Sequence, residues 1–196
     1  MVVMTETRTL AGNNPNPQGK GCVSLLQDWE ASRPGVLKQK TPLQIIRDYL
    51  LSALVLAAQF RFRPVPGQCY YLYCDRQQWH LSLIGPHEWG KRKPGEFVGS
   101  CRLQPDMTWR VDFDNLREGG LPARRIAAFV DGFTSDLSTR RSLLEGLPFY
   151  EQQLPYYQRM LATGLAASLH HSITDTGADA VALALPTLTA RRLRLA

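Results

Sequence analysis

Residues 68–113 read QCYYLYCDRQQWHLSLIGPHEWGKRKPGEFVGSCRLQPDMTWRVDF, and this stretch decides the fold. It holds four short runs rich in aromatic and β-branched residues, at about 68–74, 79–85, 96–103 and 107–113, which predict four strands. Period-two alternation sorts their side chains. Trp79, Leu81 and Leu83 fall on one side and His80, Ser82 and Ile84 on the other, while Trp109, Val111 and Phe113 oppose Thr108, Arg110 and Asp112. One face is apolar and the other mostly polar, the pattern of an antiparallel sheet that is wet on one side. Short links predict a four-stranded antiparallel meander, and a sheet with one apolar face needs a cover.

The flanking sequence supplies that cover. Thr41 followed by Pro42 places an N-cap and a proline at the first helical position, which predicts a helix over about 42–60 that Pro64, Pro66 and Gly67 terminate. Its run LLSALVLAAQF (50–60) is eleven residues long, short of the roughly 20 that cross a bilayer, so it reads as a buried helix. On the other side, Pro122 opens a helix in which Ile126, Phe129, Val130 and Phe133 make an apolar stripe. Ser135 or Ser138 is expected to cap a second segment reaching Glu145, and Pro155 to open a last helix carrying Tyr157, Leu161, Leu165 and Leu169. Residues 1–21, broken by NNPNPQGKG, read as a flexible arm, 23–30 as two helical turns, and 172–196 as a loosely attached tail. The expectation is one α+β domain over 22–171: a hydrophobic N-terminal helix, the meander, and C-terminal helices packed on the apolar sheet face.

Composition narrows the functional classes. The chain has 196 residues, 44% hydrophobic and 20% charged, which excludes a fibre or a fully disordered tail. Its net charge of +6 comes from two local clusters, Lys91–Lys93 and Arg191, Arg192 and Arg194, so the basicity is patchy and not a field suited to polyanions in general. The four cysteines show no CxxC pair, and Cys69 and Cys74 lie five apart on one strand, pointing to opposite faces. No metal site or other cofactor is expected, and reduced thiols point to the cytoplasm.

The connection at 86–95, PHEWGKRKPG, is longer than a tight hairpin needs and gathers His87, Glu88, Trp89, Lys91, Arg92 and Lys93. His87 with Glu88 can move protons, Trp89 can stack on a ring, and the cations can hold phosphate or carboxylate. The plainer alternative has Trp89 folding back over the sheet edge while the cations solvate the loop. His80, Arg102 and Arg110, with Ser82, Ser100 and Asp112, share the polar sheet face and can shape a shallow surface for a small anionic ligand, or form an ordinary wet face. No GxxxxGK[ST] or GxSxG motif is present.

The segments NPNPQGKG, YYLY, LSLIGPHEWG and EFVGSCRLQPDMTW together resemble a family of small proteins known only as a domain of unknown function. The resemblance spans about 13–113 and is most specific from Tyr70 to Trp109. It implies no activity, cofactor or catalytic residue for any position. The residues themselves favour a non-catalytic binding protein that recognises a protein partner or small anionic ligand through the 86–95 loop. The alternatives are an enzyme using His87 and Glu88, or an RNA- or DNA-binding module.

Overall fold

A computed structural model describes residues 40–90, 93–114, 116–149 and 153–190. The expected arm at 1–21, the helical turns at 23–30, Cys22, the cations Lys91 and Arg92, and the basic end at 191–196 lie outside the described residues.

Helix α1 (Pro42–Leu56) begins where the Thr-Pro signal puts it. Thr41 Oγ1 accepts from the Gln44 amide at 3.3 Å, and the Thr41 amide donates back to Gln44 Oε1 at 2.9 Å, so two otherwise orphaned donors are satisfied reciprocally. Ile45, Ile46, Tyr49, Leu50, Leu51, Leu54, Val55 and Leu56 are all buried, so the apolar surface runs round most of the helix. Each such Leu or Ile contributes roughly 2 kcal/mol through burial. The helix stops four residues before the expected end, because Ala58–Gln59 (β1) is extended and pairs in parallel with the third strand. Buried Gln158, from a later helix, donates its amide to the carbonyls of both Leu56 and Ala58 and so serves the acceptors released at this break.

The four long strands lie close to their expected places: β2 (Cys69–Cys74), β3 (Trp79–Ser82), β4 (Glu96–Leu103) and β5 (Trp109–Phe113). Their order corrects the meander. The sheet runs β1-β3-β2-β4-β5, with β4 on β2 and not on β3, and β1–β3 is a parallel pair in an otherwise antiparallel sheet. The 86–95 segment is long because it carries the chain from one edge of β2 to the other. Side-chain sorting holds: Cys74, Trp79, Leu72, Leu81, Tyr70, Cys101, Leu103, Trp109 and Val111 are buried on the covered face.

Beyond the sheet, α2 (Leu121–Thr139) is one uninterrupted helix, since Ile126, Val130 and Leu137 continue a single buried stripe past Gly132. The expected second segment reduces to a 3-10 turn at Leu144–Gly146. Helix α3 (Tyr156–Thr176) extends beyond His171 to Gly177, whose φ of 96° ends it. The tail expectation at 172–196 is corrected through residue 190: α4 (Ala178–Ala190) buries Val181, Leu185 and Leu188 and packs on α1. Gly177 and Pro186 read locally as breakers, and the burial of that stripe overrides them. The cover also differs in arrangement. Helices α1 and α2 touch the strands, while α3 and α4 pack chiefly against α1, which accounts for its all-round apolarity. Among the described residues no helix is long and apolar enough to cross a membrane.

The β4–β5 turn is tied to the start of α1. Lys40 Nζ lies 2.6 Å from Asp48 Oδ2 and 2.6 Å from Asp106 Oδ2, and Thr108 Oγ1 donates to Asp106 Oδ1 at 2.6 Å. Ser52 of α1 accepts from the Trp109 amide at 2.8 Å. Met107 adopts a left-handed φ of 63° at this turn while its side chain is buried in the core.

Candidate binding surfaces

Register places the polar-face candidates together. Tyr73 is opposite His80, Tyr71 opposite both Ser82 and Ser100, Cys69 opposite Arg102, Arg102 opposite Arg110, and Ser100 opposite Asp112. A bulge at Leu72/Tyr73 sets Phe97 opposite Tyr73, so this face carries an aromatic cluster as well, with Tyr73 and Phe97 centroids 5.5 Å apart and Tyr71 and Phe97 6.3 Å apart. Four of the polar candidates are committed to local contacts, Ser82 because its Oγ accepts from the Ile84 amide at 2.9 Å. His80 Nε2 lies 3.0 Å from Asp75 Oδ2, and Arg110 pairs with exposed Asp112 at 3.1 Å. The hydrogen bond from His80, followed by those from the amides of Gln78 and Gln77, lowers the Asp75 carboxyl to about 2. His80 thus braces the β2–β3 turn, and the Arg110 pair is exposed and energetically slight.

The loop after β3 is built on the same face. The Gly85 amide donates to Glu88 Oε1 at 2.9 Å and the Glu88 amide to the Gly85 carbonyl at 3.0 Å, so the carboxylate of Glu88 closes its own turn. Both Trp89 Nε1, at 3.2 Å, and the Tyr73 hydroxyl, at 2.9 Å, donate to the Ile84 carbonyl, and the two rings meet edge to face at 6.2 Å. Burial pushes the Tyr73 phenol up. Gly85 cannot carry a side chain without meeting Glu88 and the Tyr71 ring, and Gly95 (φ 149°) passes against the Cys74 carbonyl. Trp89 therefore folds back onto the polar face of the central strand β2, and not over the sheet edge that the plainer sequence reading expects. His87, Glu88 and Lys93 are exposed. Beside the braced tryptophan, Leu83 is 49% and Ile84 39% exposed, because the strand ends at Ser82 and alternation no longer directs Leu83 inward.

A second locus was not legible in the sequence. Between the β2–β3 turn and α2 lies an open depression of about 730 Å³ lined by Arg76, Trp79, Leu121, Arg124, Arg125, Ala128 and Phe129. Arg125 forms its floor: Nη1 donates to the Arg76 carbonyl at 2.7 Å, Nη2 to the Gln77 carbonyl at 3.4 Å, and the guanidinium lies 5.1 Å from the Trp79 ring centroid. Arg76 and Arg124 are exposed and unpaired with any carboxylate among the described residues. The one local sign was two arginines in the opening turns of α2, where the helix dipole favours acids and none is present.

Two of the thiols are shielded from solvent. Burial pushes Cys74 up to about 11 and Cys101 higher still, which keeps both protonated and poorly nucleophilic. Among the described residues no three His, Cys, Asp or Glu side chains converge as metal ligands would.

Residues 37–119, from just before α1 to just before α2, match the model of a family described as "Protein of unknown function (DUF2452)". The resemblance expected from the strand motifs holds over this segment, which contains the block from Tyr70 to Trp109; NPNPQGKG lies before it and α2, α3 and α4 after it. No solved structure matches the chain.

Proposed function

We propose that this protein is a non-catalytic binding protein that docks a protein partner through the apex formed by Leu83, Ile84 and the 86–95 loop. The observation that carries the reading is an exposed apolar pair on a rigid support: Leu83 and Ile84 stand beside a tryptophan held by a hydrogen bond and by an aromatic contact. A preorganised apolar knob loses little freedom on docking, and such anchors dominate binding energy. Exposed Lys93 gives it a basic margin suited to an acidic one on the partner, and Lys91 and Arg92 precede it in the sequence. The exposure of His87 and the use of Glu88 to close the loop weigh against an acid–base pair there. The free thiols among the described residues, Cys69, Cys74 and Cys101, favour a reducing compartment such as the cytoplasm.

The test is affinity capture from the native host with wild type, with Leu83→Asp/Ile84→Asp, and with Lys91→Ala/Arg92→Ala/Lys93→Ala. One protein, identified by mass spectrometry and rebinding when purified, should lose affinity sharply with the first variant and partially with the second. Capture unchanged by both variants overturns the proposal. Recovery of nucleic acid whose affinity falls steeply with salt replaces it with the nucleic-acid reading.

A further inference from the structure

We infer that the groove between the β2–β3 turn and α2 is a binding site for a small phosphorylated organic molecule, its phosphate between Arg76 and Arg124 and its apolar part along Leu121, Ala128 and Phe129. Three guanidiniums line one depression, and no carboxylate lines it with them. The nearest acid in sequence, Asp75, is occupied by His80 and by the turn amides of Gln77 and Gln78. Arg125 is spent on the carbonyls of Arg76 and Gln77 and on Trp79, which fixes the turn against α2 and holds the two walls of the groove in place. That leaves Arg76 on one wall and Arg124 on the other with their forks free.

Two free guanidiniums beside a third positive charge match a dianion better than a single carboxylate, because phosphate offers three acceptor oxygens and nearly two charges. A bare phosphate would leave Leu121, Ala128 and Phe129 uncovered, so the apolar part of the lining calls for an organic portion on the ligand. The groove is open on one side, which suits a small molecule that keeps part of its surface in water.

The probe is phenyl phosphate, titrated into the full chain and followed by amide chemical shifts and by melting temperature, with inorganic phosphate and phenol as half-ligands. Phenyl phosphate should bind with a Kd of about 1 mM or tighter, shift the amides of Arg76, Gln77 and Arg124, and exceed either half-ligand. Arg76→Ala and Arg124→Ala, both at exposed positions, should not lower the ligand-free melting temperature, and each should weaken binding roughly tenfold. Vesicles carrying a phosphoinositide form the second arm, and binding to them without binding of phenyl phosphate overturns the small-molecule assignment. So do amide shifts confined to other parts of the molecule, or affinity unaltered in the double variant. Leu83→Asp/Ile84→Asp lies elsewhere and should bind phenyl phosphate like wild type, so the failure of either proposal is seen separately.

Discussion

Two charged clusters in this molecule are built in opposite ways. At the foot of α1 a single ammonium, Lys40, serves two carboxylates, Asp48 and Asp106, each 2.6 Å away and each less than a third exposed. In the α2 groove three arginines line one depression with no carboxylate beside them. The first cluster closes on itself: it joins the entry of α1 to the β4–β5 turn and leaves no capacity for a ligand. The second is open, and the fold holds its charges in place through backbone carbonyls and an indole face. Balanced charges describe a structural joint, whereas guanidiniums held apart from acids describe a place where something else supplies the anion.

The sharpest way to break this contrast is to remove the shared cation. Lys40→Met leaves two half-buried carboxylates facing each other and should cost about 2 kcal/mol at neutral pH in urea unfolding, below the full penalty of a dry pair because the side chains keep some water. Adding Asp48→Asn should recover part of the loss, since burial already holds the Asp48 carboxyl above its ordinary range. The pH dependence has a definite sign. Burial would lower Lys40, but Asp106 and Asp48 outweigh it and raise the ammonium above its ordinary 10.5, so its contribution is complete below that value and lost as the pH rises through the raised one. Asp106 is opposed by burial but held low by Lys40 and Thr108, so its contribution is present above the ordinary 3.8 and fades as the pH falls through the lowered value. Lys40→Met should therefore flatten the alkaline limb. An unaltered stability curve would show that the joint contributes nothing.

A smaller effect is expected at the floor of the groove. Arg125→Ala removes two charge-assisted hydrogen bonds to the turn carbonyls and the contact with Trp79, a loss of about 1 kcal/mol. Faster amide exchange at residues 75–78 should accompany it. Arg125→Lys keeps the charge but not the fork and should behave closer to alanine than to wild type. If it behaves like wild type instead, the floor is held by charge alone and not by the fork.

The contrast between these clusters also marks where sequence reading succeeds. Strand positions and faces were legible because alternation is a local property: Trp79 and Trp109 both turn to the covered side, as their neighbours dictate. Strand order was not, since nothing in a run such as EFVGSCRL states whether it pairs with WHLS or with CYYLYC. The unusual length of 86–95 was the only trace of the crossover, and it read more naturally as a functional insertion. The two-residue strand Ala58–Gln59 was hidden at the end of an apolar run, and α4 was hidden behind Gly177 and Pro186. Among candidate residues, the face of His80, Arg102 and Arg110 followed from the period of two. The groove joins a turn at 76 to a helix at 124 and 125, so its charge imbalance exists only after folding, in a chain whose charges outside two terminal or loop clusters sum to balance.

Asp75 sharpens the comparison at the edge of the same groove, because it is the acid nearest to Arg76 in sequence and yet does not neutralise it. With its carboxyl held at about 2, chiefly by the hydrogen bond from His80, it contributes stability that is complete above the ordinary 3.8 and lost as the pH falls through about 2. Asp75→Asn should shift the acid unfolding midpoint upward by a small amount, measurable by circular dichroism across a pH series. Binding of phenyl phosphate should survive the change, since Asp75 faces the turn amides and not the arginines.

The smallest expected effect has the opposite sign. Arg124 stands in the opening turns of α2, where the first turn holds no acid and Gly120 offers no side-chain cap, so a positive charge there works against the helix dipole. Arg124→Glu reverses that charge and sets a carboxylate among Arg76 and Arg125. It should raise stability by about 0.5 kcal/mol in the absence of ligand. The same change should abolish binding of phenyl phosphate, because the groove would then carry its own anion. A gain in stability together with a loss of binding is the signature of charge kept unfavourable for a ligand's sake. A variant that is destabilised, or one that still binds, would put Arg124 among ordinary solvated surface residues and make the two clusters alike.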